Sequence, residues 1–547
     1  MISGSFTNNI KKTIMNVRKN KLIYMVLIGA AALGSCKKTY LDRPSLNSPT
    51  LDNYYTNATQ VQGATGLLYN QVWYNWLDKA FHTIGEVYGG NMLTSSGDPN
   101  YGNNSYVYFT VEATDGNVLN AWQSFYQVAG NATVLINTLL LKRPSVTDPS
   151  FIDQGIAEAR FIRGVAYFFI ARTFGDAPIV ADPVALAGSG NYNVPRYLQK
   201  DVLRFALNDF AAAESGLPET PYQPGRVSKY SAAGMAAKLY LYEGRYDSAA
   251  IKANEVIQSG KYSLYTNYMQ MFTTAKANNN GESLFALQWI AGGYSYANDI
   301  QAYAGPADLM KPDFGTGYSS VIPSLNLLAE YEKGDMRKGW SIMQQGFSNP
   351  SWVNKNFPNG YTYDTMPQPP PPAASLADDA THITTGTRSN PLKYINGPAS
   401  NGGDPTSAYG DALCVYLLRY ADVLLIYSEA VLGANATTSD PGALAAINAV
   451  RSRAQLPALS SITKQQIMHE RRVEFAFEGD YWFDIQRQGF PAAAQIINSQ
   501  ERGTLNFDGT INHVGANLSS ASQLFLPIPS DEVVADPALA KPAVPYF

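Results

Sequence analysis

Of the 44 carboxylates in this 547-residue chain, Asp78, Glu86, Asp98, Asp299, Asp313 and Asp335 fall in loop-like sequence. Two carboxylates about 5 to 9.5 Å apart are what glycoside hydrolysis requires. A chain with so many acids produces such pairs by chance, so glycosidase chemistry is the weaker alternative. The stretch "IMHERRVEF" opens like a metalloprotease helix, but Val473 stands where the second zinc histidine belongs. His82, His382, His469 and His513 show no metal-ligand spacing. Asp378 and Asp379 lack the Asp-x-Asp-x-Asp-Gly ladder of a calcium loop. There is no Gly-x-Ser-x-Gly elbow and no phosphate-cradling glycine loop. No catalytic residue, cofactor or metal is expected.

A different chemistry is better represented. Aromatics make up 12% of the chain, with 36 Tyr, against 15% charged residues. Tyr, Asn, Gly and Ser recur together in "GDPNYGNNSYVY" and "AGGYSYANDI". An aromatic ring on a polar loop stacks on a neutral ligand while amides beside it make hydrogen bonds. Candidate binding residues on this reading are Tyr101, Tyr294, Tyr296, Trp352 and Tyr361, with Asn91, Asn103, Asn298, Asp299 and Arg388 as polar partners. Tyr88, Tyr303, Trp340 and Tyr363 also lie outside the helical blocks. Trp73 and Trp76 share a helical face with Leu68 and Val72, and are expected in the core.

Cys36 is the remaining chemical group of note. It follows Lys11, Lys12, Arg18, Lys19 and Lys21, a short apolar run from Leu22 to Leu33, and then Gly34 and Ser35. That layout is an export signal, and the apolar run is too short to span a bilayer as a helix. Leu33, Gly34, Ser35 and Cys36 resemble the lipobox of bacterial lipoproteins, in which the cysteine is acylated. Cleavage there leaves Cys414 as the only other cysteine, and 35 Lys and Arg against 44 Asp and Glu. A net charge of −9 with no basic cluster after Lys38 argues against nucleic acid as a partner.

The elements that must position these groups are mainly α-helical. Periodicity of 3.6 predicts helices at 59–77, 117–141, 152–173, 196–215, 228–243, 247–259, 415–433, 441–454, 463–478 and 492–498. Strand-like alternation is confined to short stretches such as 105–112 and 283–290. Ala237, Tyr240, Gly244, Tyr246, Ala249, Ala253 and Val256 have the tetratricopeptide spacing of small residue, aromatic, turn glycine, aromatic and small residues. The expected fold is therefore an α-solenoid of stacked helix pairs with a few short β-hairpins. Its scaffold covers about 50–260 and 411–500, interrupted by a Gly-, Pro-, Asn- and Tyr-rich segment at 261–410. Residues 1–35 are read as the signal peptide and 36–547 as a single domain.

Two charge patterns belong to this scaffold. Arg160, Arg163 and Arg172 lie in a segment that is apolar all round, so they need acceptors. Glu470, Glu474 and Glu478 form a carboxylate stripe at i, i+4 spacing. The two sets are expected to meet as an ion-pair network.

The segment "AEARFIRGVAYFFIARTFGDAPIV" resembles the signature of the SusD/RagB family of nutrient-binding outer-membrane lipoproteins. So do "LDRP" after Cys36, "RVSKYSAAGMAAKLYLYEGRYDSAA", "LLRYADVLLIYSEA", "INAVRSRAQLP", "HERRVEFAFEGDYWFDIQRQG" and "LFLPIPSDEV", all in family order. The resemblance implies a SusD-like fold, a lipid anchor in the outer membrane facing the cell exterior, and a SusC-like TonB-dependent barrel as partner. It also implies an oligosaccharide ligand held in an aromatic-lined site on the loops, with no reaction performed. Individual binding residues vary with the ligand and do not carry over. Lys37 and Lys38 stand where some surface-exposed members carry acids. The alternatives are a tetratricopeptide-type protein scaffold and a peptide-capturing lid.

Overall fold

The computed structural model describes residues 53–94, 104–292, 295–314, 317–364, 386–397, 410–506 and 508–547. Cys36, Tyr101, Asn103, Tyr294, Asp98, Asp378, Asp379 and His382 lie outside them.

Helix-forming periodicity survives as α1 (Ala58–Gly66), α2 (Gly116–Lys142), α3 (Ser150–Phe174), α4 (Gln199–Gly216), α5 (Lys229–Tyr242), α6 (Tyr246–Gln258), α7 (Tyr420–Leu432), α8 (Pro441–Arg453) and α9 (Lys464–Glu474). Their starts follow from capping chemistry. Asp115 accepts from the Asn117 and Val118 amides at the head of α2, and Ser228 and Thr463 form capping boxes on α5 and α9. From α2 to α8 each helix packs on the next. This is an α-solenoid, in which a helix contacts its neighbours and little else.

The tetratricopeptide-like spacing accounts for the α5/α6 pair. Ala237, Ala249, Ala253 and Val256 are fully buried where the two helices meet. Gly244 turns the chain at φ +70, a conformation that costs glycine little. Tyr240 and Tyr246 fill the groove against the core. In the α3/α4 pair the contact is closer still: a Cβ on Gly164 would sit 2.8 Å from the Phe210 ring.

The loop-rich segment interrupts this stack without breaking it, because α7 returns to pack on α6. β1 (Ser283–Leu287) and β2 (Val415–Arg419) pair antiparallel at the base of the segment. Several of the short strand pairs thus join distant stretches rather than forming hairpins, among them Met92–Thr94 with Val321–Pro323. Residues 415–419 are strand where the periodicity indicated helix. A short apolar run such as "VYLLR" suits either state until a partner strand arrives.

Other differences have local causes. The helix predicted at 59–77 ends at Gly66 and continues as 3-10 turns and two π-helical turns, Trp76–Ala80 and Thr83–Val87. The strand predicted at 105–112 is a helical turn, Ser105–Tyr108, closed by Phe109 at φ +59. α9 stops at Glu474, four residues early, and Phe477 and Gly479 then take positive φ. Trp73 and Trp76 are buried with Phe125 and Phe169, as expected of core residues. Among the described residues no helix is long and apolar enough to cross a membrane.

Candidate functional site

The stripe of Glu470, Glu474 and Glu478 lies in a buried cluster of charged residues. Glu474 accepts from Arg419, Arg337 and Arg453; Glu470 from Arg337 and Arg451; Glu478 from Arg419 and Lys393. Glu282 joins through Arg419 and Arg453, and Asp335 through Arg337. Five acids thus face five bases, and the desolvated charges are compensated as burial demands. Burial alone would raise the Glu474 carboxyl, but Arg453, Arg419 and Arg337 outweigh it and hold Glu474 well below the ordinary carboxylate range.

The carboxylate stripe is therefore an ion-pair centre, with partners other than those expected. Arg163 binds Asp209 through Nε and Nη2 at 2.7 and 2.8 Å, and the partly exposed Arg160 lies 3.7 Å from the same carboxylate. Arg172 reaches Asp480 at 2.6 Å and lies over the rings of Phe168, Phe169 and Phe483. The arginines of α3 bind acids nearer to them. The stripe instead draws its cations from α7's leading strand, α8 and the loop-rich segment, and so ties that segment to the scaffold.

A second buried polar group lies along the π-helical turns. Glu86 accepts from the Gly479 amide at 2.7 Å and from Asn91 Nδ2 at 2.9 Å, and burial pushes its carboxyl up to about 7. His82 lies 3.0 Å from the Phe477 carbonyl and 3.3 Å from the Tyr303 hydroxyl, and burial pulls it down to about 4. Shifts of this size also mark catalytic groups. Both side chains are closed off from solvent, so a substrate has no path to them and they brace the fold. Among the described residues no His, Cys, Asp and Glu cluster is arranged to hold a metal ion.

The residues expected to bind ligand are placed unevenly. Trp352 and Tyr361 pack on each other with ring centroids 6.1 Å apart, and both are 1% exposed. Tyr361 donates to Asp308 at 3.1 Å. Neither ring offers an open stacking face here, because both lie in the main hydrophobic core with Phe347 and Phe357 packed against them. Asn91 uses both ends of its amide, donating to Glu86 and accepting from Arg472. Asn298 likewise accepts from the Ile300 amide and donates to the Leu413 carbonyl. Asp299 is buried and accepts from the Tyr74 hydroxyl. Arg388 is partly buried and donates to the Asn506 carbonyl at 2.8 Å.

Tyr296 differs from these: the residue is 44% exposed. The Ile290 amide donates to the Tyr296 carbonyl at 3.1 Å, closing the loop that carries both, and Ile290 is also exposed. Beside them Trp289 packs edge-on against Tyr74, and its buried indole Nε1 meets no acceptor among the described residues. An orphaned buried donor is uncommon and calls for a partner. Trp289 was not singled out from sequence. Its signal is an indole placed immediately after a strand and before a Tyr-, Asn- and Gly-rich loop.

Residues 258–546 match the SusD family, and residues 47–241 match a second description, "Starch-binding associating with outer membrane". A SusD-like protein of Bacteroides ovatus is 30% identical, covering 96% of this chain and 98% of its own. The chain belongs to the SusD family. Within the family, a crystal structure with bound xylogluco-oligosaccharide is 29% identical, with a TM-score of 0.77 over 89% of this chain and 99% of that one. A laminarin-binding SusD-like protein shares the fold at 23% identity, with a TM-score of 0.67 over 88% and 98%. The mainly α architecture with short strand pairs is thus a SusD fold.

Proposed function

We propose that this protein is a glycan-binding lipoprotein of the outer membrane, anchored through Cys36, that captures oligosaccharide and passes it to a SusC-like TonB-dependent barrel without cleaving it. The observation that carries the reading is Tyr296, exposed on a Tyr-, Asn- and Gly-rich loop. A flat amphipathic ring on a polar loop suits a neutral sugar, whose C–H face stacks on the ring while neighbouring polar groups meet its hydroxyls. Tyr294 neighbours Tyr296 in sequence, and Tyr101 and Asn103 stand in the other Tyr- and Asn-rich stretch; they are proposed as further contributors. Membership of a family with an oligosaccharide-bound relative supports the ligand class. The lipid anchor rests on the lipobox-like sequence, since two acyl chains at about 0.8 kcal/mol per buried CH₂ hold a soluble domain at a membrane.

Affinity electrophoresis of residues 37–547 through gels containing plant, microbial and host polysaccharides tests the reading. Retardation by one glycan class with no reducing ends released is expected. Tyr296→Ala should weaken retention by about ten-fold, equivalent to about 1.4 kcal/mol of lost stacking, while leaving the melting temperature unchanged. No retardation on any gel would redirect the assignment to a peptide-capturing lid or a protein scaffold. Release of reducing ends would make it a hydrolase.

A further inference from the structure

A cavity of about 160 Å³ opens between the 219–226 turn, the chain just after α6, and β1. An engineered cavity of about 150 Å³ is known to admit a six-membered ring, so the space accommodates one ring. A second cavity, lined by Arg172, Lys238, Arg419 and Glu478 among others, measures about 20 Å³ and holds no more than a water.

The lining sets the chemistry. Pro221, Leu284 and Phe285 supply apolar surface, while Thr220, Tyr262 and Ser283 supply hydroxyls. Asn279 and Gln288 bond each other reciprocally at 2.8 and 3.0 Å, which places an amide pair beside the cavity. Gly225 presses on that pair: at φ +83 a Cβ there would come within 2.7 Å of Gln288 Oε1. The formal charges at the wall are met by partners outside it, Arg226 by Glu158 at 3.0 Å and Glu219 by Lys229 at 3.2 Å. Lys261 stands exposed at the rim. Such a pocket has donors and acceptors of both kinds, one apolar side, and no strong field for an ion.

We propose that this pocket is a separate subsite for one neutral pyranose unit. The ligand class rests on the glycan reading above, while the pocket is lined by residues other than Ile290 and Tyr296. It would hold an end unit or a side branch of a glycan, raising retention through a second contact on the same chain.

Saturation-transfer NMR with free xylose, glucose, galactose and mannose tests this on the unlipidated protein. At least one sugar is expected to show transfer in the millimolar range. Asn279→Gly keeps the positive φ of 54 at that position while removing the amide, and should weaken the signal about five-fold, the worth of one neutral hydrogen bond. Thr220→Val, at an exposed position, is the second variant and should weaken it similarly if Asn279→Gly melts early. Tyr296→Ala should leave the monosaccharide signal in place while reducing polysaccharide retention. Absence of transfer from all four sugars would overturn the subsite. So would a signal that survives both pocket variants; its loss in Tyr296→Ala would then place the sugar on the loop. Polysaccharide retention without monosaccharide transfer would sink the pocket and leave the main reading standing.

Discussion

Arg419 donates to Glu474 twice, from Nη1 to the carboxylate at 2.6 Å and from Nη2 to the backbone carbonyl at 2.9 Å. One guanidinium thereby holds both the charge and the last turn of α9, while also binding Glu282 and Glu478. Arg419→Met should destabilise the protein by about 3–5 kcal/mol, because three buried carboxylates lose a cation. Adding Glu474→Gln should recover part of that loss. Urea denaturation of the two single variants and the double variant measures the coupling, and strict additivity would show that the pair does not act as a unit.

Asp480 offers a test against acid. Burial would raise its carboxyl, but Lys238 and Arg172 dominate and hold it far below the usual range. A folded-state value below the unfolded one contributes stability above about pH 4 that is lost as pH falls further. Asp480→Asn should be less stable than wild type by about 2–4 kcal/mol at pH 7. The gap should narrow progressively below pH 4, and a gap of constant size would contradict the ion-pair assignment.

His469 titrates in the opposite sense. Burial pulls it down, yet its contacts with Glu330 at 2.7 Å and Glu332 at 3.3 Å win and raise it above 6.5. Its stabilisation is therefore complete below about pH 6.5 and fades as pH rises through the elevated value. Thermal melts from pH 6 to 9 should show wild type losing on the order of 1 kcal/mol that His469→Gln does not lose. Parallel curves for the two proteins would remove this latch between the loop-rich segment and α9.

Gly85 and Gly479 permit another contact: a Cβ on Gly85 would lie 2.2 Å from the Gly479 carbonyl oxygen. Gly85→Ala should cost about 2–4 kcal/mol, since neither backbone can yield without disturbing Glu86 and His82. Gly63→Ala in α1 meets no atom within 4 Å and should be neutral or stabilising by up to about 1 kcal/mol. Equal melting temperatures for the two variants would refute the close approach.

Much of the scaffold was legible because its determinants are local. Asp115, Ser228 and Thr463 announce helix starts within three residues, and the small-residue spacing around Gly244 announces the α5/α6 turn. The candidate site was less so. An aromatic in a loop reads the same whether it meets solvent, as Tyr296 does, or a second aromatic, as Trp352 does with Tyr361. Rings of the loop-rich segment join the main core, and composition carries no information on which of them enter it.

The sequence by itself determined the mainly α class, the family and the carboxylate stripe, because periodicity, capping and motif order are read along the chain. Only the tertiary structure decided which cation each carboxylate meets. Arg163 and Asp209 are 46 residues apart, Arg419 and Glu474 are 55 apart, and Arg337 and Glu470 are 133 apart. Coulomb attraction is indifferent to sequence distance and acts on whichever opposite charge the packed helices bring within about 3 Å.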